Sequence, residues 1–120
     1  MNNENLKSRT KQFALRIIKL VESLPRDQVG RVLGTQLLRA GTFVGANYRA
    51  ACRSKSVADF VSKMGTVEEE ADESGYWMEL LVDSRRIKPA KISALMQEAG
   101  ELTAIAVSSI NTARKSANRR

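Results

Sequence analysis

A glycine-bearing amphipathic stretch at residues 36–49 constrains the fold of this chain more than any other segment. On a helix, the residues in and around it form one apolar face, made by Val29, Val32, Leu33, Leu37, Ala40, Phe43, Val44 and Ala51. The opposite side carries Gly34, Gly41 and Gly45, although a glycine within a helix costs about 1 kcal/mol relative to alanine. Glycines gathered on one side indicate that another backbone lies close against them. We therefore expect this helix to pack on two sides, at the centre of a bundle or of an oligomer.

The breaks between apolar patterns divide the chain into four helices. Pro25 ends the first helix because the residue before a proline avoids the helical conformation, and Asp27 is suited to cap the second. Ser56 followed by Asp59 resembles a capping box, and Pro89 fits the first turn of the last helix. The predicted helices cover residues 4–24, 27–53, 56–84 and 89–117. The short connections predict an all-α, antiparallel up-down-up-down four-helix bundle, a single domain over residues 1–120 with a basic tail from residue 114 that frays.

The third predicted helix has a heptad-like seam and two large apolar residues outside it. The seam alternates steps of four and three, typical of helices that pack nearly parallel or antiparallel, and consists of Phe60, Met64, Val67, Ala71, Ser74, Met78 and Leu81. Trp77 and Leu80 fall on the far side. A tryptophan there is either a loosely covered surface residue or an interface anchor, and we favour the interface. These two residues and the three glycines Gly34, Gly41 and Gly45 are the candidate oligomer contacts.

Polar side chains beside the apolar faces have structural interpretations. Gln36 and Asn47 lie within the apolar face of the second helix, where buried amides would fix the register of packed helices. An acidic row flanks the seam of the third helix and includes Glu68, Asp72 and Glu79. This row is either a solvated face or a set of partners for a cation of the second helix. Arg39, at the edge of its apolar face, is well placed to bind one of these carboxylates bidentately.

The composition argues against catalysis. The chain contains no histidine and so lacks the commonest general base and metal ligand. No phosphate-binding loop, zinc-ligand spacing or nucleophile–base combination is present. We therefore expect a non-enzymatic protein without catalytic residues, metal or cofactor. The single cysteine, the polar residues 1–10 and the lack of an apolar run of about 20 residues favour a reducing cytoplasm and no membrane association.

The net charge of +7, from 20 basic and 13 acidic residues, favours an acidic partner, above all RNA or DNA. The alternative is that these charges only keep the protein soluble. The basic excess lies in the first predicted helix and in the tail at residues 114–120. In an antiparallel bundle these two segments are expected to merge into one patch. The candidate nucleic-acid contacts are Arg9, Lys11, Arg16, Lys19, Arg114 and Lys115.

Several blocks of this sequence resemble a known bacterial family of four-helix bundles. They cover residues 36–41 and 45–49, followed by residues 58–64, 70–73 and 76–81. The family includes proteins encoded in intervening sequences of 23S rRNA genes and the accessory variability proteins of diversity-generating retroelements. The resemblance extends over roughly residues 10–115, with one departure: Ala50 stands where family members usually carry a glutamate.

The resemblance implies a small non-enzymatic bundle that assembles as a homopentameric ring. Accessory members of the family work with a reverse transcriptase and bind nucleic acid through basic surface. Two classes of function follow for this chain. One is a nucleic-acid-associated accessory factor, and the alternative is an oligomeric protein–protein interaction module with no nucleic-acid role.

Overall fold

The structure is a computed structural model that describes residues 3–119, and four helices make up this part of the chain. They are α1 (Asn3–Glu22), α2 (Gln28–Cys52), α3 (Val57–Asp83) and α4 (Pro89–Asn118). Each helix packs on the next one along the chain, whereas α1 and α4 touch only sparsely. The result is an elongated bundle of 54 × 21 × 20 Å, and the predicted all-α, four-helix fold is confirmed. None of these helices is long and apolar enough to cross a membrane.

The predicted N-caps are present where α2 and α3 begin. The carboxylate of Asp27 accepts a hydrogen bond from the backbone N–H of Gly30 at 2.9 Å. The hydroxyl of Ser56 accepts one from the backbone N–H of Asp59 at 3.0 Å. Pro89 occupies the first turn of α4, as expected. The two caps each satisfy a backbone N–H that the first turn of a helix leaves without a partner. Pro89 has no N–H, so it removes one such donor.

The end of α3 is closed by backbone hydrogen bonds around Arg85, which has a φ of 62°. The N–H of Arg85 donates to the carbonyl of Val82, and the N–H of Arg86 donates to the carbonyl of Leu81. This is a Schellman motif, whose left-handed position usually holds glycine because a side chain is strained there. The chain therefore places a large cation where glycine would be more favourable.

The last helix ends within one residue of the predicted bound at residue 117. α4 continues to Asn118, with Arg119 as its C-cap. Arg120, the last residue of the predicted basic tail, lies outside the described residues. Arg114 and Lys115 are exposed residues on the final turns of this helix.

The core lies along the bundle axis, and all four helices contribute to it. The largest of its fully buried hydrophobic side chains are Phe13, Ile17, Leu37, Val44, Met64, Met78, Leu81, Ile92 and Leu102. The predicted seam of α3 is buried from Met64 to Leu81 and half-buried at Phe60. Ser74 sits inside this seam without cost because its hydroxyl donates to the carbonyl of Glu70, one turn earlier, at 2.8 Å.

The glycine side of α2 faces α1 of the same chain. A Cβ atom on Gly41 would lie 2.7 Å from Cγ1 of Ile17, and one on Gly45 would lie 3.2 Å from the hydroxyl oxygen of Thr10. A Cβ atom on Gly34 would lie 3.2 Å from Cδ1 of Leu24, just after α1, and 3.4 Å from Cγ1 of Val21 in its last turn. The expected close helix is therefore α1, and α2 is packed on two sides, between α1 and α3. The prediction that Gly34, Gly41 and Gly45 contact another subunit is wrong, because α1 buries them.

The apolar face of α2 is only partly covered. Val29, Val32 and Phe43 were expected on the core side, but they are 41%, 54% and 45% exposed. The apolar arc of α2 is wider than the sector that α1 and α3 enclose, so its outer edge stays in solvent. Trp77 and Leu80 of α3 are half-buried and pack against the core, rather than facing fully away from it.

Candidate nucleic-acid interface

Arg9 connects α1 to α4 through two carboxylates. Its guanidinium donates to both carboxylate oxygens of Glu98, at 2.7 and 2.6 Å, and to Glu101 at 2.7 Å. These hydrogen bonds raise the pKa of Arg9, and the hydrogen bond from Arg9 holds the pKa of Glu98 below its ordinary value. The charge of Arg9 is thus neutralised within the bundle. We therefore remove Arg9 from the candidate nucleic-acid contacts.

The other five candidates are exposed, and no ion pair involves them within residues 3–119. They are Lys11, Arg16, Lys19, Arg114 and Lys115. They do not form the single patch that the sequence predicted. Lys11 lines a groove between α1 and α2, whereas Arg16 and Lys19 line a groove between α1 and α4.

The groove between α1 and α2 has a volume of about 550 Å³. Its lining includes the small residues Ala14, Gly45 and Ala46, which leave room for the two helices to approach closely. The ionisable residues in its lining are Glu4, Lys7, Lys11 and Arg49. Lys7 pairs with Glu4 at 3.6 Å, so part of the positive charge of this groove is offset locally.

The groove between α1 and α4 has a volume of about 410 Å³ and is lined by Arg16, Lys19 and Lys91, with Leu20 and Ile87 among its apolar lining residues. No carboxylate is among its lining residues. Sequence reasoning overlooked Lys91. Its position was a signal, since a lysine in the first turn of a helix opposes the helix dipole and no acidic residue accompanies it there.

Arg39 forms the predicted link from α2 to α3, but with different partners. Its guanidinium donates to Glu70 at 3.0 Å and to Glu73 at 2.6 Å. Glu73 also accepts a hydrogen bond from the indole N–H of Trp77 at 3.0 Å. The expectation that the partner would be Glu68, Asp72 or Glu79 is wrong. Asp72 and Glu79 line a hollow between α3 and α4, on the side of α3 that faces away from α2.

The two amides on the apolar face of α2 have no role in register between helices. Asn47 is half-buried, and its amide donates to the carbonyl of Phe43 in its own helix at 2.8 Å. Gln36 is also half-buried, at the edge of the exposed part of α2. The expectation that buried amides fix the helix register is therefore wrong, because neither amide reaches the bundle interior.

The acidic side chains do not form a metal site. Within residues 3–119 no group of three or more His, Cys, Asp or Glu side chains is arranged to hold a metal ion. The buried end of Glu70 is instead satisfied by Arg39, and Glu98 by Arg9. Glu70 and Glu73 of α3 and Glu98 and Glu101 of α4 thus pair with arginines of neighbouring helices.

Comparison with known proteins gives a consistent assignment. The fold is similar to the crystal structure of a protein of unknown function from the S23 ribosomal protein family of Bacteroides thetaiotaomicron, with a TM-score of 0.85 and 33% sequence identity. That similarity covers 92% of this chain and 99% of the other. None of the curated proteins matches this chain. Residues 3–108 match the family described as 23S rRNA-intervening sequence protein, and the chain therefore belongs to that family.

Proposed function

We propose that this protein is a non-enzymatic, oligomeric accessory factor that binds RNA or DNA through the phosphate backbone. The observation that carries the proposal is a set of exposed cations, Arg16, Lys19 and Lys91, that share one groove without a carboxylate in its lining. The net charge of +7 and the family's association with 23S rRNA genes support the same conclusion. Because no aromatic side chain lines this groove, contacts to phosphates are favoured over base stacking.

The test of nucleic-acid binding is a salt titration with a labelled RNA hairpin and a labelled DNA duplex. We expect weakly sequence-selective binding whose affinity falls at least about tenfold between roughly 50 and 200 mM salt, since each phosphate contact releases counterions. Fluorescence anisotropy measures the affinity at each salt concentration. Undetectable binding of both probes at the lowest salt concentration would contradict the proposal.

We also propose that the protein assembles as a closed homo-oligomer, a pentamer by resemblance to its family. Val29, Val32 and Phe43 form an exposed apolar strip on α2, with Trp77 and Leu80 of α3 as further candidate contacts. Burying such a strip against a second copy would stabilise the assembly. Light scattering at micromolar concentration is expected to give five times the chain mass of 13.3 kDa. A monomer mass, or a strip variant Val32→Ser/Phe43→Ser with unchanged assembly, would count against it.

The same strip favours an alternative function, a protein–protein interaction module with no nucleic-acid role. That alternative becomes the better one if the protein is oligomeric but binds neither nucleic-acid probe.

Within the nucleic-acid proposal, the resemblance to retroelement accessory proteins suggests a reverse transcriptase as partner. A reverse transcriptase gene with template and variable repeats beside the coding sequence would support this partner, and a surrounding 23S rRNA gene would argue for an intervening sequence instead.

A further inference from the structure

We infer that nucleic acid binds at one end of the bundle, in the groove between the last turns of α1 and the first turns of α4. This end contains the α3–α4 connection, and it is opposite to the end where the predicted basic tail lies. The inference rests on the proposed nucleic-acid function and adds the surface that would carry it. It replaces the single patch of α1 and the α4 terminus that the sequence predicted.

Two neighbouring hollows make this surface continuous. The α1–α4 groove, with Arg16, Lys19 and Lys91, shares Ile87 with a hollow of about 360 Å³ around the α3–α4 connection. The cations that line this second hollow are Arg85, Arg86 and Lys88. No carboxylate is among the lining residues of either hollow. Cations from α1, from the connection and from α4 therefore converge on one surface, which is the pattern that a polyanion requires.

The nearby carboxylate of Asp27 neutralises only Arg86 among the cations of this surface. One of its oxygens accepts the capping hydrogen bond from Gly30 at 2.9 Å, and the other pairs with Arg86 at 2.7 Å. These two hydrogen bonds lower the pKa of Asp27, so it stays ionised and engaged in the turn. Arg86 thus clamps the two connections of this end together, while Arg85 and Lys88 make no ion pair within residues 3–119.

Arg85, Lys88 and Lys91 stand at backbone positions where other residue types are more favourable. Arg85 occupies the left-handed position of a Schellman motif, where glycine is preferred. Lys88 and Lys91 lie at the N-cap and first turn of α4, where the helix dipole favours acidic residues, yet the first turn has none. Residues that oppose local preference at the same turn are expected at a functional surface. Their shared property is positive charge, and an anion on this surface would relieve the repulsion among them.

The opposite end of the bundle is less suited to a polyanion. Its groove between α1 and α2 contains Lys11, but also Glu4, which pairs with Lys7. Arg114 and Lys115 lie on the last turns of α4. The negative end of the helix dipole stabilises cations there, so part of their charge is already compensated. Lys11, Arg114 and Lys115 provide a matched control for Arg16, Lys19 and Lys91, because both sets are exposed and carry three positive charges.

The experiment compares two triple variants, each of which lowers the net charge by three from +7. The groove variant is Arg16→Gln/Lys19→Gln/Lys91→Gln, and the control is Lys11→Gln/Arg114→Gln/Lys115→Gln. With an RNA hairpin and a DNA duplex as probes, we expect the groove variant to bind at least about tenfold more weakly and to lose about three from the slope of log affinity against log salt. The control is expected to lose less than about threefold in affinity. Circular dichroism and light scattering verify that both variants keep the fold and the mass of the wild type.

The outcomes separate this inference from the proposed function. If the wild type binds and both triple variants weaken binding equally, affinity follows net charge and the groove is not the site. A larger loss in the control would place the site at the other end. A wild type that binds neither probe at low salt, or that binds only phosphatidylserine vesicles, would overturn the nucleic-acid function itself. If the groove triple variant does not fold, Lys19→Gln and Lys91→Gln are measured singly, and each must reduce the salt slope by about one.

Discussion

Replacing Gly41 with leucine is expected to destabilise the fold by at least about 3 kcal/mol, at the upper end of the range for overpacked cores. A Cβ atom alone would lie 2.7 Å from Cγ1 of Ile17 and 3.1 Å from its Cβ, so the rest of a leucine side chain has no space. Ile17 is fully buried and cannot turn away into solvent. The substitution therefore forces α1 away from α2 along their whole contact. Urea denaturation followed by circular dichroism measures the loss.

Gly65→Ala is the matched control, because it also replaces a glycine within a helix. A Cβ at Gly65 would meet nothing within 4 Å, so only the helix propensity changes, and we expect a gain of about 0.5–1 kcal/mol. Opposite signs for the two variants would attribute the effect of Gly41→Leu to the close approach of α1. A Gly41→Leu protein with the stability of the wild type would show that this approach is not required for the fold.

Removing the link between Arg9 and Glu98 is expected to produce the second large loss of stability. Glu98 has 15% of its side chain exposed and Arg9 has 27%, so solvent screens the pair only in part. We expect Arg9→Ala to cost about 1–2 kcal/mol, allowing for that screening. A double-mutant cycle with Glu98→Ala measures the coupling between the two side chains. A coupling energy within error of zero would show that this ion pair contributes nothing measurable to the stability of the fold.

The same pair predicts how stability depends on pH. Arg9 lowers the pKa of Glu98 in the folded state, so the contribution is fully present above the ordinary glutamate pKa of about 4.3. It is lost as the pH falls through the lowered pKa of the folded state. The stability difference between wild type and Arg9→Ala is therefore expected to shrink in acid below about pH 4. A difference that stays constant down to pH 2 would contradict the assignment. Arg39→Ala is the comparator, and we expect it to lose less stability because Arg39 is more exposed.

Local sequence signals predicted the helices and their starts well. Asp27 and Ser56 cap their own helices, and Pro89 fits a first turn, because each acts on backbone groups within a few residues of itself. The seam of α3 is buried because its spacing places those residues on one side of a helix, whatever lies opposite. The family resemblance agreed with these features, since it rests on the same residues. Such signals depend only on the chain near them.

The identity of each neighbour could not be obtained from the same signals. The spacing of Gly34, Gly41 and Gly45 predicts a close helix, but only the tertiary structure shows that it is α1 of the same chain. Arg39 was expected to find an acid on α3, yet the rotation of α3 about its axis presents Glu70 and Glu73 instead of Asp72. The sequence predicts Arg9 as a free cation, but in the folded bundle α4 lies close enough for Glu98 to pair with it.

Helical periodicity thus determines the angular position of each residue on its own helix, and with it the number of helices, their ends and their apolar faces. It does not determine the rotation of one helix against another, because ridge-into-groove packing allows several arrangements of similar energy. That choice depends on the fit of side chains between helices, such as Ile17 against Gly41. The tertiary structure alone therefore decides which cations are neutralised, as Arg9 is, and which remain exposed around a groove, as Arg16, Lys19 and Lys91 do.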